Sequence, residues 1–225
     1  MNRTALLTLA ALAAAALSTG CSTRSYRTAD AWTPTAPDDR AVDEAVSEAL
    51  AAAPQMVTDP RVAVYSLDPD RADAVVEALE DVEGIAGVYA LPTFLVDGRM
   101  DGMSGEPDVA QLRLLAAQAR CDLLVLADHR WEQETGVNGL VAFNVLLVPA
   151  LFTPFLKVEV DSSLDSYVYD VRNGYFYGVV SARQSGADRF NTLYAVEEPA
   201  LVERHWAPLV EDTRASMAAL LAVGG

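Results

Sequence analysis

The chain predicts an α/β domain: a mixed sheet of about five or six strands with flanking helices, a β-hairpin late in the chain and a terminal helix. Three observations lead there. Between residues 61 and 131, β-branched and aromatic runs of strand length alternate with stretches whose apolar residues recur at helical spacing, as in a sheet covered by helices. Two long β-rich runs, 155–171 and 175–183, flank Arg172-Asn173-Gly174. Asn-Gly between strands is a strong hairpin signal, because both residues tolerate positive φ in a type I′ turn. After Glu198-Pro199, the residues Leu201, Trp206, Leu209, Met217, Leu220 and Leu221 mark the buried face of a long final helix.

The elements follow in order. Asp38-Asp39 cap a helix over 40–53 with Val42, Val46 and Leu50 four apart on one face, and Pro54 stops it. Residues 61–67 read as a strand. A helix over 70–82, capped by Asp70, carries Ala72, Val75, Val76 and Leu79 at helical spacing. A second strand spans 85–96, where Pro92 signals a bend or an edge. The Gly- and Asp-rich stretch 97–105 is a flexible loop, followed by a helix over 107–120 and a strand over 122–131. Cys121, at the entry of that strand, reads as a small buried hydrophobe, with a reactive or intermolecular thiol as the alternative.

The segment 139–156 is unusually apolar, yet Pro149 and Pro154 interrupt any straight helix and Asn144 is costly in lipid. One reading is a buried strand and a loop packed on the sheet. The other is a docking surface for a membrane or a partner, formed by Phe143, Leu147, Leu151, Phe152 and Phe155.

The N-terminus carries a different message. Arg3 gives a positive start, an Ala/Leu run extends from 6 to 17, and small residues lead to Cys21, the three parts of an export signal. The apolar run is shorter than the ~20 residues that span a bilayer. Leu17-Ser18-Thr19-Gly20-Cys21 resembles the lipobox of bacterial lipoproteins. That resemblance implies a signal peptide over 1–20, acyl chains (palmitate among them) on Cys21, and anchorage without a membrane helix. Ser22 resembles the class sent to the outer membrane, facing the periplasm. Residues 21–37, with Pro34 and Pro37, read as a tether, and 38–225 as a single α/β domain.

A helix ending Ala116-Ala117-Gln118-Ala119-Arg120, the strand Cys121-Asp122-Leu123-Leu124-Val125-Leu126 and the hairpin run Tyr167 to Gly174 are similar to envelope lipoproteins. The types are the curli-secretion and penicillin-binding-protein-activator lipoproteins and the rhombotarget lipoproteins. The likeness covers residues 60–185 and rests on pattern.

Charge and chemistry narrow the function further. Sixteen basic residues face 32 acidic ones, a net charge of −16 that repels nucleic acid and anionic headgroups. Neither His129 nor His205 belongs to a metal-binding spacing, so no metal ligand set is predicted. Asp128-His129 offers a base and an orienter, but neighbours on a strand point to opposite faces. His205 beside Trp206 reads as a partly exposed polar residue. Ser104 lies in Gly102-Met103-Ser104-Gly105-Glu106, which lacks the second glycine of a nucleophile elbow. Asp97, Asp101, Glu106 and Asp108 do not follow EF-hand spacing and read as a solvated acidic loop. No glycosidase carboxylate pair or phosphate loop stands out, so the chain predicts no catalytic residue and no cofactor.

The expectation is a lipid-anchored, non-catalytic envelope protein that binds a protein partner or assembles with itself. A hydrolase of envelope polymers is one alternative. A secretion-channel subunit whose 139–156 segment enters the membrane in a ring is another.

Overall fold

A computed structural model describes residues 23–27, 46–92, 108–137, 156–190 and 199–224. Six strands and three helices of at least nine residues stand out among them. They are β1 (Thr23–Arg27), β2 (Arg61–Ser66), α1 (Ala72–Glu80), β3 (Gly87–Ala90), α2 (Val109–Gln118), β4 (Leu123–Val137), β5 (Leu156–Asp170), β6 (Phe176–Phe190) and α3 (Pro199–Gly224). The sheet runs β3-β2-β4-β5-β6, and β1 pairs with β4 off that path. β2 is parallel to both its neighbours, with Val62 opposite Val88 on one side and Leu123 on the other. The expected mixed sheet, late hairpin and terminal helix are therefore present. No described helix is long and apolar enough to cross a membrane.

Contacts divide the chain into two compact units. The larger holds 46–92, 108–130, 163–183 and 206–224 of the described residues, and the smaller holds 23–27, 131–137, 156–162, 184–190 and 199–205.

In the larger unit the central strands are buried on both faces. Val62, Ala63, Val64 and Tyr65 are all at most 3% exposed, which is why β2 reads as an unbroken apolar run. Successive side chains serve different cores. Val62, Val64, Leu123, Val125 and Ala127 pack with Leu164, Val168, Val180 and Ala182 beneath Val75 and Leu79 of α1 and Leu209 and Met217 of α3. Ala63, Tyr65, Leu124 and Leu126 pack on the other face against Leu112 and Ala116 of α2, with Cys121 among them. Leu201, Trp206, Leu209 and Met217 of the predicted helical face are buried, and Leu220 and Leu221 pack partly against the core. In the smaller unit, Val158, Val160, Leu201 and Val202 form a separate cluster edged by Trp131.

Several local expectations need correcting. Asp70 does not cap α1: it lies in a 3-10 turn, Pro69–Arg71, and the helix starts after Arg71 without a side-chain cap. Pro69 presets φ for that tighter turn. Asp108 instead caps α2, accepting from the Ala110 amide at 2.9 Å. The described part of the second strand ends at Ala90, and β4 and β6 run well past 131 and 183, because pairing extends strands that pattern alone would end. Thr23–Arg27, read as tether, is a strand antiparallel to β4, from Thr23 opposite Thr135 to Arg27 opposite Trp131. Val46 and Leu50, expected four apart on one helical face, lie in a helical stretch over 46–51 and are 50% and 83% exposed.

The hairpin tip is not type I′. Positive φ among described non-glycine residues occurs only at Asp59 and Arg120, so Asn173 does not adopt it, whereas Gly174 has φ +73°. Val171 leaves the ladder to bond the Asp122 carbonyl, which lengthens the loop to 171–175. The Gly174 amide then bonds the Asp170 carbonyl, and the Asn173 side chain accepts from the Tyr175 amide and donates to the Ala53 carbonyl.

A second irregularity follows in β6. Tyr177, Val180 and Ala182 all pack against one core cluster. Same-face residues of a regular strand are an even number apart, so the three-residue step from Tyr177 to Val180 requires one inserted residue, a β-bulge. Gly178, at φ +134°, supplies the backbone conformation.

A Cβ on Gly178 meets nothing within 4 Å, so its penalty is conformational alone. Gly178→Ala is expected to lower unfolding free energy by about 1–2 kcal/mol, and Leu164→Ala, at a fully packed site, by about 2–5 kcal/mol. Urea unfolding measures both; a neutral Gly178→Ala removes the bulge.

Candidate functional site

Strand order places the candidate site. The chain leaves β2 for β3 by way of α1, packed on one face, and reaches β4 by way of α2 on the other. The carboxyl ends of β2 and β4 therefore flank the point where the order reverses, the place where open α/β sheets hold ligands. Chemistry-bearing residues gather there: Ser66 at the end of β2, Asp68 and Arg71 after it, and Asp128, His129 and Arg130 within β4.

A tight turn presents Asp68. The Ser66 hydroxyl donates to the Asp68 carbonyl at 2.7 Å and accepts from the Asp68 amide at 3.2 Å, while the Leu67 amide bonds the Ala127 carbonyl and keeps the two strand ends together. His129 Nδ1 then lies 3.9 Å from Asp68 Oδ2. That is ion-pair range, longer than a hydrogen bond that would orient a catalytic base. The imidazole meets Trp206 edge-on, with centroids 5.0 Å apart, and the Arg71 guanidinium lies 4.7 Å over the same indole. Trp206 thus has a cation against its π face, a contact that gains from desolvation. The carboxylate near His129 is Asp68, whose functional interest the sequence did not reveal.

Asp128 does its work with Arg130, two residues along and so on its own face of the strand. The Arg130 Nε donates to Asp128 Oδ2 at 2.6 Å, Nη2 donates to the same oxygen, and Oδ1 has no protein partner. Asp128 is 1% exposed. Burial pushes its carboxyl above the usual carboxylate range, Arg130 pulls it back, and Asp165 pushes it up again. Asp165 accepts a hydrogen bond from the Ser181 hydroxyl at 2.6 Å.

Among the described residues of the smaller unit, Ser162 Oγ and His205 Nδ1 form a buried polar pair 3.0 Å apart. His205 is therefore not the partly exposed residue expected, since it is only 9% exposed. A serine nucleophile would be bonded to Nε2 with an acid on Nδ1. Here Nδ1 faces the serine and Nε2 faces Gly186, where a Cβ would come within 2.6 Å of it.

Cys121 is a buried free thiol, and burial pushes its pKa up, which keeps it protonated and poorly nucleophilic. Among the described residues no three His, Cys, Asp or Glu side chains are arranged to hold a metal ion. A crevice lined by Val75, Ala78, Leu79, Leu164, Val210 and Thr213 leaves no room even for a water molecule, so it is not a small-molecule pocket. Cys21, Phe143, Leu147, Leu151, Phe152 and Phe155, together with Asp97, Asp101, Ser104 and Glu106, lie outside the described residues.

No family model and no curated protein matches the chain. Among solved structures, it is similar to the PelC dodecamer from Paraburkholderia phytofirmans, at 14% identity and a TM-score of 0.32, over 73% of this chain and 95% of that one. It is also similar to lipoprotein GNA1162 from Neisseria meningitidis, at 18% identity and a TM-score of 0.31, over 67% of this chain and 97% of that one.

Arg130→Met leaves the Asp128 charge buried and unpaired, and about 2–3 kcal/mol of stability is expected to go at pH 7, Arg130 being part-exposed. Without Arg130 the raised Asp128 pKa rises further, so the folded state takes up a proton the unfolded chain does not. The deficit relative to the parent therefore shrinks as pH falls from 7 toward 4. Urea titrations across that range test it; a deficit constant with pH contradicts the pairing.

Proposed function

We propose that this chain is a lipid-anchored, non-catalytic protein of the cell envelope that binds a protein partner or a second copy of itself. The observation that carries the reading is the export signal ending Gly20-Cys21. Cleavage before Cys21 and acylation of its thiol and new amino group put the domain on a membrane with no spanning helix. Two or more acyl chains, at ~0.8 kcal/mol per buried methylene, make that attachment stable. Ser22 directs it to the outer membrane, facing the periplasm.

The domain's chemistry supports an interaction role. A net charge of −16 excludes nucleic acid and anionic lipid surfaces as attractive partners and favours neutral or basic proteins. Large apolar side chains remain exposed at Val46, Leu50, Tyr89, Leu114, Phe176 and Val179. The polar groups at the strand ends are engaged with one another: Asp128 with Arg130, and Arg71 and His129 with Trp206. In this reading Phe143, Leu147, Leu151, Phe152 and Phe155 add the main docking surface.

Cys21→Ser is expected to move the protein from the membrane pellet to the soluble fraction and to abolish incorporation of labelled palmitate. Continued pelleting together with labelling overturns the anchor. In the anchored parent, Phe152→Asp is expected to reduce in-cell crosslinks to the partner or second copy by at least tenfold. Unchanged crosslinks remove the 139–156 surface from the proposal.

A further inference from the structure

We propose that Ser162, His205 and Gly186 form a proton-operated clasp that holds the first turns of α3 against β5 and β6 at neutral pH and releases them on acidification. The clasp joins three elements at one point. Ser162 on β5 meets His205 Nδ1 at 3.0 Å, and both residues are buried, at 3% and 9% exposure. From β6, Gly186 brings bare backbone against the opposite edge of the ring: an added Cβ would sit 2.6 Å from Nε2 and 3.2 Å from Cε1. The imidazole is thus hydrogen-bonded at Nδ1, and a side chain at position 186 would press on its Nε2 edge.

Around the clasp, Val158 and Val160 of β5 pack with Leu201 and Val202 of α3. Opening would expose this apolar cluster. Pro208, inside α3, has no N–H to bond the Arg204 carbonyl, so that one bond of the helical ladder is missing.

The charges around the ring set the direction. Burial disfavours the imidazolium, and Arg204 on α3 disfavours it further, whereas Asp161 on β5 favours it; the outcome is a pKa lowered from 6.5. Arg204 is itself paired with Asp188 of β6, and Glu203 lies on the opposite side of α3. A lowered pKa means that the closed state binds fewer protons than the open one. The clasp is therefore complete above about pH 6.5 and weakens as pH falls below it.

Amide hydrogen exchange on the full mature chain in detergent, corrected for intrinsic rates, reads the opening directly. Between pH 7.5 and 5.0 the opening equilibrium of peptides covering 156–162 and 199–206 is expected to rise by several-fold. The ceiling is about thirty-fold, for an open-state imidazole near 6.5 and a closed state that takes no proton. His205→Asn places an amide where Nδ1 bonds Ser162 but cannot be protonated, so its exchange should be flat with pH. Gly186→Ala should show the acid-like opening already at pH 7.5. Unchanged parent exchange, or the same pH response in His205→Asn, overturns the clasp. If the variants do not fold, imidazole carbon NMR of the parent decides: titration of His205 below 6.5 supports the clasp, and titration at or above 6.5 overturns it.

Discussion

Burial of β2 and β4 on both faces is the constraint on which the larger unit depends. A strand covered on one side can alternate apolar and polar residues; one covered on both sides cannot, and Val62 to Tyr65 and Leu123 to Ala127 are accordingly apolar throughout. Parallel pairing of β3, β2 and β4 demands long crossovers, and the two that supply it, α1 and α2, pack on opposite faces. From that arrangement comes the meeting of the β2 and β4 ends, and with it the neighbourhood of Asp68, Arg71, His129 and Trp206.

Polar groups in this neighbourhood are stabilised by each other more than by solvent. The Asp128 carboxylate is tolerable inside because Arg130 reaches it from two positions along the same strand, keeping the guanidinium partly wet while neutralising the charge. Trp206 plays a comparable part on the other face, giving the Arg71 cation an aromatic surface and the His129 ring an edge contact. The smaller unit uses a different device, a single imidazole fixed between a hydroxyl and a glycine. Its strength depends on protonation, which ties that unit to the acidity around it.

Irregular backbone does as much positioning as regular structure. The bulge at Gly178 moves β6 by one residue, so that Tyr177 near the tip and Val180 farther along both reach the same core. The five-residue loop at 171–175 uses Asn173 to hold the Ala53 carbonyl and Arg172 to hold the Gln55 carbonyl, binding the stretch ahead of β2 to the hairpin. Arg113 of α2 donates to the Val171 carbonyl from the other side, which fixes the loop between two parts of the chain distant in sequence.

Taken alone, the sequence determined the elements whose signal is local: the apolar runs of β2 and β4, the helical spacing of α1, α2 and α3, and the existence of the hairpin. Those follow from periodicity and from side-chain chemistry within a few residues. Tertiary structure alone decided the rest. Type I′ geometry failed because Val171 bonds Asp122, distant in sequence, and the loop had to lengthen. Strand ends moved because pairing partners, not propensity, set where a strand stops. His205 became buried because Ser162 and Gly186, from two other strands, close on it, and nothing in the neighbouring sequence records their approach. Asp68 and His129 are separated by sixty residues and meet only because β2 and β4 are parallel neighbours, a long-range pairing that no local pattern encodes.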